Sequence, residues 1–245
     1  MNETLKIPKG KVLLYSGGMD SWLIDHIIQP DTILFIRIHT PNNELEYKKL
    51  LELLDKGKVK AKKLKVIDYD LSDYERPSQN YFLPLRNLHF VTLAAHYGDE
   101  IYLGATGSST HYDKNNTFAE KAADVISYLL SESNEGPVSI KLPFKDTTKT
   151  ELLKQFIDNG GSIQDAWDST VSCYTPIDGK PCMSCTSCMS KFAAFYNNGY
   201  EFDKESLDRF MKYVEENYEA QKPDVITIYE RIKRRSSGLR WDTNS

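Results

Sequence analysis

A polar, glycine-rich stretch with the sequence SGGMDS separates two apolar runs near the beginning of the chain. Glycines at 17 and 18 can adopt positive φ and let the backbone approach an anion, and free amides at a helix start attract negative charge. The serines add hydroxyl donors, and Asp20 either orients the loop or helps to hold Mg²⁺. The stretch has neither the GxGxxG nor the GxxxxGK[ST] pattern of the commoner nucleotide loops. We therefore predict a phosphate-binding loop made of Ser16, Gly17, Gly18, Met19, Asp20 and Ser21.

A second group of reactive residues comprises all four cysteines, which are Cys173, Cys182, Cys185 and Cys188. Three cysteines at CxxCxxC spacing and one upstream can converge as thiolates on one tetrahedral ion. This spacing predicts one structural Zn²⁺. An iron–sulfur cluster is the alternative, but ferredoxin-type sites place the fourth cysteine downstream and follow it with proline.

The composition limits the classes of protein to which the chain can belong. Its 245 residues and 40% hydrophobic content suffice for one α/β domain with a small appendage. A formal net charge of −4 argues against a broad surface for phosphate backbones, so we expect no nucleic-acid partner. The sequence shows neither an apolar run of the roughly 20 residues that span a membrane nor a signal peptide, which predicts a cytoplasmic protein without membrane contact.

Apolar runs typical of strands alternate with runs of helical periodicity. The predicted strands are KVLLY, ILFIRI, AKKLKVIDYDL, DEIYLGAT and VSIKLPF. A helix is predicted after each strand, the second from Leu45 and the fifth after a capping box from Thr148 to Glu151. Repeated βα units predict a parallel sheet covered on both faces, whose ligands bind at the carboxyl ends of the strands. The phosphate-binding loop lies at such an end.

These motifs together resemble a known family. SGGxDS after a first strand is similar to the PP-loop of the N-type ATP pyrophosphatases, which cleave ATP between its α and β phosphates and adenylate a substrate. That loop is followed in order by LPLRN at 83–87, LPF…TTKTELL around 142–153 and TVSCY…PCMSCTSC…KFAAF at 170–195. This order of motifs resembles the 7-cyano-7-deazaguanine synthase (QueC) family, and the resemblance covers about Lys11 to Phe195.

The resemblance implies both a fold and a reaction. It implies a Rossmann-like fold of the adenine nucleotide alpha hydrolase type, with a PP-loop ATP-binding α/β domain over residues 1–165 and a C-terminal zinc-binding helical region over 166–245. It also implies an ATP-dependent carbon–nitrogen ligase that converts 7-carboxy-7-deazaguanine and ammonia to 7-cyano-7-deazaguanine (preQ0) in queuosine biosynthesis. The carboxylate would be adenylated, ammonia would displace AMP to give an amide, and a second adenylation would lead to the nitrile. The implied cofactors are ATP, Mg²⁺ and one Zn²⁺.

The family's roles transfer to matching positions of this sequence. The loop would grip the leaving phosphates, with Asp20 and Ser21 among the catalytic residues. Arg86 would pair with the α-phosphate or the substrate carboxylate, which suits a guanidinium fork. Lys149 would reach ATP phosphates from the first turn of its helix, and Asn87 would either contact substrate or cap its own helix.

Two stretches depart from the family pattern where substrate is read. After the fourth strand, GATGSSTHYDKNNTF replaces GxnatDysgYPDCRPeF, although the predicted substrate-binding residues Tyr112, Asp113 and Phe118 roughly match. A carboxylate suits the donor edge of a guanine-like base, so we predict that Asp113 reads the base. After the second strand IHTPNNELE replaces YGQrH, and either Glu44 or Glu46 would stand in for the family's acid.

Other functions stay open. A divergent relative would stop at the amide or join the activated carboxylate to another amine, because pocket contacts set such choices. A PP-loop tRNA-modifying enzyme would use the same adenylation, but it is expected to carry a basic surface. A non-catalytic zinc-stabilised nucleotide-binding module is the third alternative. The amphipathic helix over residues 203–221 would pack on the domain or on a second subunit, and we expect a homodimer.

Overall fold

The computed structural model describes residues 6–76, 83–107, 112–178, 181–221 and 223–236. Its centre is a five-stranded sheet whose neighbouring strands are all parallel. The strands are β1 (Lys11–Leu14), β2 (Thr32–Arg37), β3 (Lys63–Asp68), β4 (Glu100–Leu103) and β5 (Ser139–Lys141). Their order across the sheet is β3-β2-β1-β4-β5. The predicted α/β fold with a parallel sheet is confirmed.

The helices that the structure describes are α1 (Met19–Ile28), α2 (Pro41–Asp55), α3 (Arg86–Ala94), α4 (Asn116–Ser131), α5 (Lys149–Asp158), α6 (Ile163–Ser169), α7 (Thr186–Asn197), α8 (Lys204–Glu216) and α9 (Pro223–Ser236). The predicted capping box is present at α5, where the Glu151 carboxylate accepts from the backbone N–H of Thr148 at 2.8 Å. Helix α2 begins at Pro41, four residues before the predicted start, because proline fits the first helical position. Among the described residues no helix is long and apolar enough to cross a membrane.

Helices cover both faces of the sheet. On one face, Val91 of α3 and Ile126 of α4 pack in a cluster with residues of β1, β2 and β4. On the other, Trp22 of α1, Leu50 of α2 and Phe156 of α5 belong to a second buried cluster. Burial on both faces explains why β1 and β2 are continuous apolar runs rather than alternating ones.

Helix α7 joins the sheet to the C-terminal helices. Its Phe195 belongs to the second cluster, whereas its Phe192 stacks on Phe210 of α8 with ring centroids 4.2 Å apart. Val214 of α8 and Ile228 of α9 complete a third cluster that also contains buried cysteines. The C-terminal helices therefore pack on the α/β core through α7, and a domain boundary at residue 165 stays a prediction.

The sheet reverses its winding beside β1. Strand β2 lies on one side of β1 and β4 lies on the other, so α1 after β1 and α4 after β4 lead away from the reversal in opposite directions and on opposite faces of the sheet. In open α/β sheets the crevice at such a reversal, at the carboxyl ends of the strands, is where ligands bind. The predicted phosphate-binding loop lies at this crevice.

Candidate functional site

The loop after β1 forms a tight turn that its own serines hold in shape. The Ser21 hydroxyl donates to the carbonyl of Gly18 at 3.1 Å and accepts from the backbone N–H of Ser16 at 3.2 Å. The Ser16 hydroxyl accepts from the backbone N–H of Gly18 at 3.2 Å. Met19 is buried in the core, so its contribution to the loop is its backbone. The resulting turn leads directly into α1, whose N-terminal amides and dipole favour an anion.

Position 17 requires glycine for two reasons, its backbone conformation and the close approach of α2. Its φ is +78°, and a Cβ at this position would lie 2.8 Å from the carbonyl oxygen of Glu46 on α2. Gly18 forms an isolated parallel bridge with Val171, which precedes the first cysteine of the cluster. The loop is therefore held between α2 and the segment that leads to the cysteines.

Asp20 is the carboxylate of the loop, and both of its oxygens have partners. One oxygen forms an ion pair with Lys149 on α5, and the other accepts from the Thr106 hydroxyl at 3.0 Å. Burial alone would raise the pKa of Asp20, but Lys149, the bond from Thr106 and nearby Lys114 outweigh it and lower that pKa. Asp20 is thus ionised at neutral pH and positions Lys149 beside the loop.

The loop borders a cleft with one apolar and one charged side. The apolar side is formed by Leu14, Leu34, Ile36, Ile38, Phe90 and Leu103. On the charged side, the described residues contribute three cations and two carboxylates, namely Arg86, Lys114, Lys149, Asp20 and Glu46. Such a cleft can accept a flat apolar ring and an anionic group together. The structure therefore brings the predicted site residues Arg86, Asn87 and Lys149 to the same cleft as the loop.

Arg86 and Asn87 begin α3. Leu85 precedes them in the left-handed region, with φ of +60°, and turns the chain into the helix. The Asn87 side chain is buried, and its amide donates to the carbonyl of Asp113 at 3.1 Å. Asn87 therefore ties α3 to the 3-10 turn Tyr112–Lys114 rather than capping its own helix.

Lys114 is a cleft residue that sequence reasoning missed. It is half-buried at the end of that 3-10 turn and lies near Arg86 and Asp20. Burial, reinforced by Arg86, lowers the pKa of Lys114 to about 8. The sequence did contain a signal for Lys114, since this residue lies inside GATGSSTHYDKNNTF, the stretch that departs from the family pattern.

Glu46 differs from Asp20 in its surroundings. It lies on α2 beside the loop, where a Cβ on Gly18 would be 3.5 Å from Glu46 Oε1. Burial raises the pKa of Glu46 to about 8, against the effect of Arg86. Of the two acids that the sequence left open, Glu46 lines the cleft, whereas Glu44 forms a bidentate pair with Arg37 at 2.8 and 2.9 Å.

The other predicted substrate residues lie away from the described lining of the cleft. Tyr112 has 91% of its surface exposed. Asp113 is half-buried and offers its carbonyl to Asn87, and Phe118 packs against the first apolar cluster. Residues 108–111 are outside the described part of the chain. Substrate contacts by Tyr112, Asp113 and Phe118 stay predictions.

The four cysteines form one cluster that can hold a metal ion. The sulfur atoms of Cys173, Cys182, Cys185 and Cys188 all lie within 4.8 Å of one another. Backbone N–H groups of Cys182 and Tyr174 point at the sulfurs of Cys173 and Cys185, at 3.2 and 3.5 Å. Such donors stabilise thiolates around a metal. The predicted convergence of the four cysteines is confirmed.

The cysteine cluster borders the cleft, and the buried Lys191 lies near it. Ser172, Cys173 and Tyr174 line the cleft next to the loop. Lys191 is buried on α7, and its ammonium donates to the carbonyls of Trp167 and Thr170 at 3.0 and 2.5 Å. Burial lowers the pKa of Lys191 to about 7, whereas nearby Cys188 favours its charged form, so thiolates at the cluster would keep Lys191 protonated.

Comparison with known proteins finds relatives that share one name. The chain is 27% identical to a 7-cyano-7-deazaguanine synthase of Sulfurovum sp. (strain NBC37-1), over 76% of this chain and 93% of the relative. It is 24% identical to the Archaeoglobus fulgidus protein of the same name, over 93% of this chain and 98% of the relative. The sequence model of the queuosine biosynthesis protein QueC family matches residues 10–199, a span that contains the loop, the cleft and the four cysteines. The chain belongs to the QueC family.

Proposed function

We propose that this chain converts 7-carboxy-7-deazaguanine and ammonia to 7-cyano-7-deazaguanine at the expense of ATP. The observation that carries the proposal is the phosphate-binding loop at the winding reversal, which shares one cleft with Arg86, Lys114 and Lys149. The charged side of the cleft suits a triphosphate, and its apolar side suits a purine-like ring. Membership of the QueC family and the names of the relatives support this choice of substrate.

The first half of the proposed reaction activates the carboxylate. The loop and its neighbouring cations hold ATP while the substrate carboxylate attacks the α-phosphorus, and the bond to the pyrophosphate oxygen breaks. Carboxylates acylate amines poorly, so the acyl adenylate supplies the leaving group, and the protein supplies position and positive charge. Asp20 keeps Lys149 beside the loop and, with the phosphates, would hold Mg²⁺, which adds further positive charge.

The second half forms the carbon–nitrogen bond. Ammonia attacks the acyl carbon and AMP leaves, which gives an amide. A second ATP adenylates the amide oxygen and releases pyrophosphate, and loss of AMP and of both N–H protons then gives the nitrile. Arg86 would pair with the α-phosphate or the substrate carboxylate, a task suited to its planar fork. Asn87 would hold the 3-10 turn that carries Lys114 against α3.

We also propose that the cysteine cluster holds one structural Zn²⁺. Four thiolates fill a tetrahedral coordination shell and leave no position for substrate. The ion would therefore fix the segment over residues 171–174, which borders the loop. A division into residues 1–165 and 166–245, a homodimer and a cytoplasmic location belong to the same proposal.

The test is mass spectrometry of a reaction that contains the purified chain, ATP, Mg²⁺, ammonium and 7-carboxy-7-deazaguanine. We expect a nitrile product with AMP and pyrophosphate. The test variant is Lys149→Met, which removes the cation paired with Asp20 and should reduce product formation, and its matched control is a second lysine of α5. Lys154→Met, on the exposed face of the same helix, should not.

Each other outcome has a defined meaning. An amide without nitrile would mean that the chain stops after one adenylation. An adduct of the acyl group with a different amine would identify it as a divergent ligase. Absence of any substrate-dependent AMP or pyrophosphate would contradict the proposal.

A further inference from the structure

We infer that the Glu46 carboxylate accepts the proton that the amine loses when it attacks the acyl adenylate. This inference rests on the proposed function, and it names a residue for a step that the proposed function requires. The nitrogen forms a bond to the acyl carbon, the bond from that carbon to the AMP oxygen breaks with its electron pair, and one N–H proton passes to Glu46. The proton then leaves to water.

The position of Glu46 is fixed by the structure of α2. Asn43, one turn earlier, is buried and accepts from the backbone N–H of Ile38 at 2.7 Å, and its amide donates to the carbonyl of Ile36 at 3.2 Å. These two bonds hold the start of α2 against the end of β2. Leu50, one turn later, is fully buried in the second cluster. Glu46 is therefore held beside the loop from both ends of its helical segment.

The side chain of Glu46 has no structural duty among the described residues. Its carboxylate accepts no hydrogen bond and forms no ion pair within the described part of the chain, although it lines the cleft. Structural carboxylates in this molecule behave otherwise, as Asp25 shows by accepting from the backbone N–H groups of Lys60 and Ala61. A carboxylate kept free at a ligand cleft is available to a ligand proton.

The other titratable groups of the cleft fit the task less well. Asp20 is the other carboxylate of the described lining, and both of its oxygens are already engaged by Lys149 and Thr106. Lys114 is a cation near Asp20, and bound phosphates would keep it protonated. The Tyr15 hydroxyl, directly after β1, is buried without a hydrogen-bond partner among the described residues, and burial together with Asp25 and Glu46 raises its pKa far above neutral.

The charge balance around Glu46 also suits a proton acceptor. Burial raises the pKa of Glu46 to about 8, and the opposing positive charge is Arg86 on α3. A general base works best when its pKa lies near the working pH, because it then both ionises and binds the proton. Ionised Glu46 can take the proton, and the low polarity of its surroundings favours the neutral acid that results.

The experiment separates adenylation from amine attack with Glu46→Gln. Exchange of labelled pyrophosphate into ATP, measured with 7-carboxy-7-deazaguanine and without amine, reports adenylation and should stay within a few-fold of the unmodified chain. Amide formation at saturating ammonium should fall about 10²–10⁴-fold, the usual contribution of a general base. Glu52→Gln is the control, because Glu52 lies on the same helix and pairs with Lys49 at the surface. It should preserve both activities.

A pH series provides a readout that a structural defect would not reproduce. Hydroxylamine replaces ammonia here, because it stays neutral around and above pH 7 and leaves the enzyme as the titrating partner. With the unmodified chain, the rate of hydroxamate formation should rise with pH and level off above about 8. The Glu46→Gln variant should lack this rise, and Glu46→Asp should recover part of it.

The remaining outcomes overturn the inference or the function separately. If Glu46→Gln loses exchange together with amide formation, Glu46 acts in binding or adenylation, and the inference is wrong. Retention of both activities would also refute it. If the unmodified chain shows no exchange with this substrate, the proposed function fails, whatever the variant does.

Discussion

The predicted phosphate-binding loop and the cysteine cluster both border one cleft, yet they are held in opposite ways. In the loop, Ser16, Gly18 and Ser21 bond to one another within six residues and leave backbone amides for an anion. In the cluster, the sulfur atoms of four cysteines converge to within 4.8 Å of one another, a spacing that can hold a metal ion. The loop keeps its shape without a ligand, whereas four neighbouring thiolates would repel one another without a cation.

This difference predicts that the two sites separate activity from stability. Removing the charge of Asp20 from the loop should strongly reduce turnover and leave the fold intact, because the bonds that shape the loop are made by Ser16, Gly18 and Ser21. Removing a cysteine should first destabilise the fold, because metal binding contributes directly to the free energy of folding. Loss of activity would then follow from loss of structure.

The largest effect is expected for Cys185→Ser. Cys185 is buried, caps the start of α7 and lies in the third apolar cluster with Phe192. We expect loss of the bound metal and at least about 3 kcal/mol of stability, as for other lost metal sites. Metal content by mass spectrometry and the free energy of unfolding in urea measure this. Ser184→Ala, at an exposed neighbouring position, should retain both, and a stable metal-free Cys185→Ser protein would contradict the comparison.

The opposite result is expected for Asp20→Asn. The variant keeps the shape of the side chain but removes the charge that positions Lys149. Release of pyrophosphate should fall about 10²–10³-fold, the cost of removing one placed charge or donor from an active site. The melting midpoint should change by no more than a few degrees, because the partly exposed ion pair contributes about 1 kcal/mol. An inactive variant that is also unfolded would show that the loop carries structure as well as chemistry.

Sequence reasoning predicted these two sites for the same physical reason. The chemistry of the loop lies in consecutive residues after an apolar strand, and that of the cluster lies in cysteine spacing, so neither required knowledge of distant contacts. The sheet followed from the alternation of apolar runs, and the capping box located the start of α5. Neither local pattern identifies a substrate, and membership of the QueC family supports the choice of the proposed reaction.

The cleft wall was less predictable because it is assembled by tertiary packing. Glu46 reaches the loop only because α2 crosses Gly17, and Thr106 meets Asp20 only because β4 lies beside β1. Lys114 enters the cleft through a 3-10 turn that Asn87 holds by a backbone carbonyl. In each case the two residues in contact are at least 26 positions apart in the chain, and no local pattern encodes the contact.

A smaller effect is expected for Lys114→Met, which tests how far the binding of phosphates depends on residues outside the loop. The half-buried ammonium adds to the field of Arg86 and Lys149 in the cleft. Its removal should raise the KM for ATP about tenfold, the value of one charged hydrogen bond, with little change in kcat. Lys121→Met, on the exposed face of α4, is the control. An unchanged KM would confine phosphate binding to the loop, Arg86 and Lys149.

The smallest effect is a pH-dependent change in stability that arises from Glu46. Glu46 lies beside the loop, but its ionisation, unlike the bonds within the loop, changes the free energy of unfolding. Its pKa in the native state, about 8, is far above the value of about 4.3 for an unfolded glutamate. The native state therefore favours the protonated form of Glu46, and the resulting contribution to stability is fully present below about pH 4.3 and is lost as the pH rises through about 8.

Glu46→Gln has no charge to bury. Its melting midpoint relative to the unmodified chain should therefore increase between pH 5 and pH 9, by the equivalent of about 1 kcal/mol for a carboxylate that keeps some contact with water. Glu52→Gln should show no such trend, because Glu52 is paired at the surface. A constant difference for Glu46→Gln would mean that water reaches the carboxylate freely, and the cleft would then lack the low polarity that a proton acceptor at this position requires.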